Sequence, residues 1–424
     1  MKSFTTTALG LILAASATPL FAQSSYGSRG SEQQSVPQPN AEEQQTTTDK
    51  TSGIKPSKQA QKAFIELQKA VNANDTANIP GRLAAVQAVA TTPQDKYLLA
   101  QFQLKIAATA NDTAGIAAAI DAMASSGLVD HALVGKLYRG LGGSYYNAKQ
   151  FDQAAAAFER AVAMNPSDLD ALKLVGEARL AQGNKAAALT AFQRVMAARK
   201  AAGQKPEEEL YKRSVQMAYD VKSPSTIQIA REWVAAYPSP SSWHDAVAIY
   251  RNMGRPDVEG TLTLLRLLRA AGAMTTPGDY ALYASAAADQ LNFNEAQAVI
   301  DEGIAAGKVD PASVQFRDII PPLAKKPKAT AADLADASKT AQSGMALLRI
   351  GDRYYAIRDY AKAVDLYKKA MGKPGVEADI ANLHLGFALA AAGDKAGATQ
   401  AFNAVKGGRS DIAQFWLLYL QSKA

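Results

Sequence analysis

The sequence predicts an all-α fold, a solenoid of stacked antiparallel helix pairs, on three observations. Alanine is abundant while aromatics make up only 7% of the 424 residues, which favours close helix packing over sheets. Residues 135–168 and 169–202 align without gaps at a period of 34. Asn and Asp recur where the second helix of each pair would begin, and both are strong helix caps. A fixed period of this length marks one supersecondary unit that buries its apolar face only against its neighbours.

Composition narrows the function classes. The net charge of +7 comes from 46 basic and 39 acidic residues and is spread along the chain. A nucleic-acid footprint needs clustered Lys and Arg, so no nucleic-acid partner is expected. The one dense run, Lys325-Lys326-Pro327-Lys328, stands beside Pro321-Pro322 and reads as a solvated loop. The chain has no cysteine, which excludes disulfides, thiolate catalysis, Cys-ligated metals and a lipid anchor on Cys.

Taken in order, residues 1–22 read as a secretory signal peptide. Lys2 supplies the basic start, residues 8–17 (ALGLILAASA) the apolar run, and Ala22 the small residue at the cleavage site. The expected address is therefore periplasmic or secreted. Residues 23–56 are rich in Ser, Gln, Thr, Gly and Pro and read as a disordered leader. No later stretch is long and apolar enough to span a membrane. Residues 57–134 read as degenerate helical repeats, with Asn74-Asp75-Thr76-Ala77 echoed 37 residues later by Asn111-Asp112-Thr113-Ala114. Both are formal glycosylation sequons, but Asn and Asp at helix-turn junctions explain them better. Residues 135–202 hold two well-matched units, 203–307 degenerate units, 308–343 an irregular linker, and 344–424 two further units with a capping helix.

The register is carried by a few slots. Gly142 falls on Gly176, Ala154 on Ala188, and Phe158 on Phe192. Ala284, Gly351 and Gly386 occupy the same small-residue slot, each followed twelve residues later by Ala296, Ala363 or Ala398. Four positions on come Ile300, Tyr367 and Phe402. Asn184, Asn292, Asp359 and Asp394 stand at the expected caps, and Gly183 and Gly393 where a first helix would end. This pattern resembles the tetratricopeptide repeat family, whose 34-residue helix-turn-helix units pack a small residue of the first helix against Ala of the second. The resemblance implies a right-handed superhelical solenoid of about ten helix pairs. The family's Trp-like position is Tyr138, Leu172, Tyr280, Leu347 and Asn382 here, and the closing Pro appears only as Pro166.

No chemistry-bearing constellation accompanies the repeats. His131, His244 and His384 are far apart and lack metal-ligand spacing, so ordinary packing or surface roles are expected. Ser52-Gly53-Ile54-Lys55 matches a nucleophile motif by spacing alone, within the leader. No phosphate loop, nucleophile elbow or zinc helix occurs. The expectation is no catalytic residue, no metal and no cofactor.

In the resembled family, ligands lie on the concave face, touched from set positions of each first helix. Carried across, those positions include Lys136, Arg139, Tyr146 and Asn147 in one unit and Lys173 and Glu177 in the next, a mixed polar surface. The C-terminal units place Met345, Leu348, Tyr355, Leu383 and Phe387 there, an apolar groove suited to a helix. Either a partner helix fills it, or the chain's own Ser410–Ala424, with Ile412, Phe415, Trp416 and Leu420, folds in as a cap. The implied function is a non-enzymatic scaffold of the bacterial cell envelope that binds protein or peptide segments. The alternative is an accessory in envelope polysaccharide or cell-wall handling, with a glycan as ligand.

Overall fold

A computed structural model describes residues 53–423, which form helices and, among these residues, no strand. The expected signal peptide and all but the last four residues of the expected leader lie outside the described residues. The fold divides into two units after Pro206.

The first unit holds α1 (Gln61–Asn72), α2 (Ile79–Gln87), α3 (Pro93–Thr109), α4 (Thr113–Ser125), α5 (His131–Asn147), α6 (Phe151–Met164), α7 (Leu169–Ala181) and α8 (Lys185–Ala201). Each helix packs against the next in the chain, so the pairs stack in sequence. Phe64, Leu67, Tyr97, Ile120, Met123 and Leu141 are buried in a core shared by successive pairs. Asn74 and Asn111 both adopt φ of 53°, ending their helices in the left-handed region that Asn tolerates. Asp112 then accepts from the Gly115 amide and starts α4. The two Asn-Asp-Thr sequences are helix-turn junctions, as expected.

The second unit holds α9 (Glu208–Asp220), α10 (Thr226–Ala236), α11 (Pro240–Gly254), α12 (Val258–Ala270), α13 (Pro277–Asp289) and α14 (Phe293–Ala305). Three short helices follow, α15 (Val314–Arg317), α16 (Ile320–Ala324) and α17 (Ala331–Thr340), where the prolines and lysines of 308–343 break the rhythm. The repeats resume with α18 (Gly344–Ala356), α19 (Tyr360–Ala370), α20 (Ala378–Ala391) and α21 (Lys395–Ala404), and α22 (Ser410–Ser422) closes the chain. α22 packs on α21 and also returns to α10 and α12. Tyr250 of α11 meets Phe415 of α22 at 5.7 Å, and Arg231 of α10 pairs with Asp411 at 2.5 Å.

The small-residue slots explain the repeat. Ala154, Ala188, Ala296, Ala363 and Ala398 are all 0% exposed. A Cβ at Gly142, Gly176 or Gly386 would stand 2.5 Å from a ring carbon of Phe158, Phe192 or Phe402, a distance no real Cβ adopts. Glycine is required there because the aromatic of the second helix lies directly on the first helix's backbone. Asn184, Asn292, Asp359 and Asp394 each accept from a backbone amide three residues on, and Gly183 and Gly393 take φ of 78° and 85°. Overpacking a filled core costs about 1–3 kcal/mol. Ala188→Leu is therefore expected to lower stability by that amount in urea denaturation, and an unchanged midpoint would show that the slot has room.

Candidate functional site

The sequence-predicted positions separate by unit. In the first unit, Lys136, Asn147 and Lys173 are exposed, while Arg139, Tyr146 and Glu177 are half-buried. They share α5 and α7, the first helices of adjacent pairs. Arg139 Nη1 donates to both Asp168 carboxylate oxygens at 3.0 Å, and Asp168 also caps α7 through the Ala171 amide. Arg139 thus anchors α5 to the start of α7. Tyr146 stands edge-on to Phe151 at 5.2 Å, which fixes its ring at the end of α5. A Cβ at Gly143, one turn before Asn147, would meet nothing within 4 Å, so the surface is open there. The result is a polar, accessible face on two neighbouring first helices.

In the second unit the expected groove is filled by the chain itself. Leu348, Leu383 and Phe387 are buried, Tyr355 is half-buried, and only Met345 is exposed. The occupant is α12, which packs against α20, α22 and α13, and not the C-terminal segment alone. The tail expected there does reach the groove, with Trp416 6.4 Å from the Phe387 ring, but it shares the groove with α12, which the sequence reading did not place there. Seven consecutive residues, from Leu262 to Leu268, are buried in α12. Seven successive residues cover the full circumference of a helix, so this stretch is enclosed by its neighbours. The C-terminal repeats supply one wall of that enclosure.

Arg266 is the fully buried charge of that helix. Its Nε and Nη2 bond the two oxygens of Glu295 at 2.8 and 2.7 Å, a bidentate fork. Its guanidinium lies 4.4 Å from the Phe387 ring centre and 5.4 Å from that of Tyr355. Tyr283 and Asn292 donate to Glu295 at 2.8 and 2.6 Å, so that carboxylate is saturated. His384 bridges the remaining acids. Its Nε2 is 2.6 Å from Glu259, its Nδ1 is 2.9 Å from Asp352, and Tyr367 donates to Asp352 at 2.7 Å. One network therefore ties α12, α14, α18, α19 and α20 together.

Sequence reasoning gave His384 an ordinary role and passed over Arg266. The available signal was an arginine among the five leucines of VEGTLTLLRLLRA, where it must be paired if that run is buried. Burial alone would lower the His384 pKa, but the Asp352 and Glu259 carboxylates outweigh it and push the pKa up to about 10. Burial also favours protonated Asp352, yet His384 and Arg266 hold its carboxyl below 3.8. His384 is thus an imidazolium at neutral pH and carries no lone pair for base catalysis. The cluster serves as an electrostatic lock. Because the His384 value rises on folding, its contribution is complete below about 6.5 and is lost as pH climbs through 10. The Asp352 contribution runs the other way and is lost in acid. Tryptophan-monitored urea midpoints are expected to fall between pH 7 and 10, and His384→Phe should flatten that slope. All three tryptophans, Trp233, Trp243 and Trp416, belong to the second unit, so the signal reports on it alone.

Among the described residues no group of three or more His, Asp or Glu side chains is arranged to hold a metal. No described helix is long and apolar enough to cross a membrane.

A tetratricopeptide-repeat family profile matches residues 139–204 and 348–412, the two regions where the glycine and alanine slots are best kept. No curated protein matches the sequence. Among solved structures, the chain is similar to a tetratricopeptide repeat protein from Parabacteroides merdae, at 12% identity and a TM-score of 0.27, covering 69% of this chain and 99% of that one. It is also similar to the TPR2AB domain of yeast Sti1 in complex with pHSP90, at 12% identity and a TM-score of 0.24, covering 68% and 98%. A third is the maize pentatricopeptide repeat protein PPR10, at 17% identity and a TM-score of 0.26, covering 83% and 54%.

Proposed function

This chain is a tetratricopeptide-repeat protein, and we propose that it is an exported, non-enzymatic adaptor of the bacterial cell envelope that holds partner protein segments. The observation that carries the proposal is the contrast between the two sets of first helices. The face of α5 and α7 is polar and open, whereas the equivalent face of α18 and α20 is filled by α12. Repeat scaffolds of this kind generally act by binding, and the open set is where a segment has room to lie. Lys136, Tyr146, Asn147, Lys173 and Glu177 would contact it, with Arg139 holding the two helices in register. Export rests on Lys2, the apolar run at 8–17 and Ala22.

Photo-crosslinking in cells tests this. A photoreactive residue at Lys173 is expected to capture a discrete partner, and the captured protein should begin at or near Gln23 on N-terminal sequencing. The same residue at Arg194, exposed on the second helix α8, should capture nothing discrete. Equal capture at both positions would place binding elsewhere, and an intact Met1 would remove export from the proposal.

A further inference from the structure

We propose that the groove between α9, α10 and α11 is a binding site for a neutral carbohydrate, independent of the face described above. The groove has a volume of about 540 Å³, within the range of roughly 300–1,000 Å³ typical of small-ligand sites. One wall is a single stripe of α9, with Lys212, Gln216 and Tyr219, and the opposite wall is a single stripe of α11, with Asp245, Ile249 and Asn252. Val215, Ala248 and Trp233 complete the lining with apolar surface.

Lys212 is spent on Glu208 at 3.3 Å, so an anion finds no free counter-charge, while Asp245, beside the His244 ring at 3.2 Å, offers carboxylate oxygens as acceptors. The rest is neutral polar capacity beside apolar surface. Tyr219 is 39% exposed, and among the described residues neither its hydroxyl nor the exposed Asn252 amide is engaged. Gln216 donates to Asp220 at 2.7 Å, which leaves its carbonyl to accept. An amide that donates and accepts, a carbonyl and a carboxylate oxygen together match adjacent hydroxyls, each of which is both donor and acceptor. A pyranose also has apolar C–H faces, and an exposed tyrosine ring in the same lining as Val215, Ala248 and Ile249 suits them. An apolar helix pressed into the same groove would take the Asn252 amide and the Asp245 carboxylate out of water without offering them hydrogen bonds, which is costly.

Titration of the full-length protein with glucose and N-acetylglucosamine tetrasaccharides, read at the Ile249 methyl signal by NMR, tests the assignment. At least one sugar should give a saturable shift with Kd of about 1 mM or tighter. Tyr219→Ala and Asn252→Ala should each weaken it by about tenfold. Both side chains are exposed, so melting should be unchanged in either variant, and His384→Phe should leave sugar binding intact. No shift with any tetrasaccharide at about 10 mM, or equal binding in the Tyr219→Ala/Asn252→Ala double variant, would overturn the proposal. A shift produced only by an amphipathic peptide would overturn it as well and reassign the groove to protein docking.

Discussion

Arg266→Met is expected to destabilise the second unit by about 3–5 kcal/mol, the usual cost of removing one partner from a buried ion pair. Methionine fills the space of the aliphatic stem but leaves Glu295 facing Asp352 and Glu259 with only His384 as counter-charge. Those three carboxylates, Arg266 and His384 come from four helices, so one substitution weakens the whole assembly. Because a domain is stable by only about 5–15 kcal/mol, the loss should be plain in tryptophan-monitored urea unfolding. Arg266→Met combined with Glu295→Met should recover part of the loss, since removing both partners leaves fewer buried charges unpaired. A single variant as stable as the parent would mean that the network contributes nothing.

The network also shows where sequence reading ends. The repeats were legible because their slots are local. Gly176, Asn184, Ala188 and Phe192 meet within one helix pair, and each residue type has a physical reason to be where it is. Residues 139–204 and 348–412, which match the family profile, are those where the local pattern is strongest. The filling of the C-terminal groove was illegible because it joins Arg266 to Phe387 and Glu259 to His384 across more than a hundred residues. Position within a repeat says which way Leu348 and Phe387 face, but not what meets them. The hydrophobicity of α12 was the one clue. A helix with five leucines in seven residues needs walls on more than one side, and the C-terminal repeats provide one.

Deleting residues 410–424 is expected to unfold the second unit or leave it barely stable. Ile412, Phe415 and Trp416 of α22 are buried. Trp416 stacks on Phe402 with ring centres 5.5 Å apart and planes at 15°, and it also touches Phe387 at 6.4 Å. Losing one large buried aromatic costs about 3–5 kcal/mol, so losing two in one segment approaches the stability of a whole domain. The truncated protein should bind a hydrophobic dye, and its remaining tryptophans should unfold at much lower urea or without a cooperative transition. Trp416→Ala gives the graded version, with a loss of about 3–5 kcal/mol if the full deletion does not fold at all. Truncation without effect on the Trp233 and Trp243 transition would mean that α22 is an appendage.

α12 belongs permanently to the core of the second unit, which leaves the face of α5 and α7 as the open one. Native-state hydrogen exchange of the full-length protein tests it most directly. The amides of Leu264 to Leu268 are predicted to exchange only through global unfolding of that unit, as slowly as those of α18 and α20. Faster exchange of α12 through a local opening, with α18 and α20 still protected, would show a groove that empties and is available to partners, and would contradict the account.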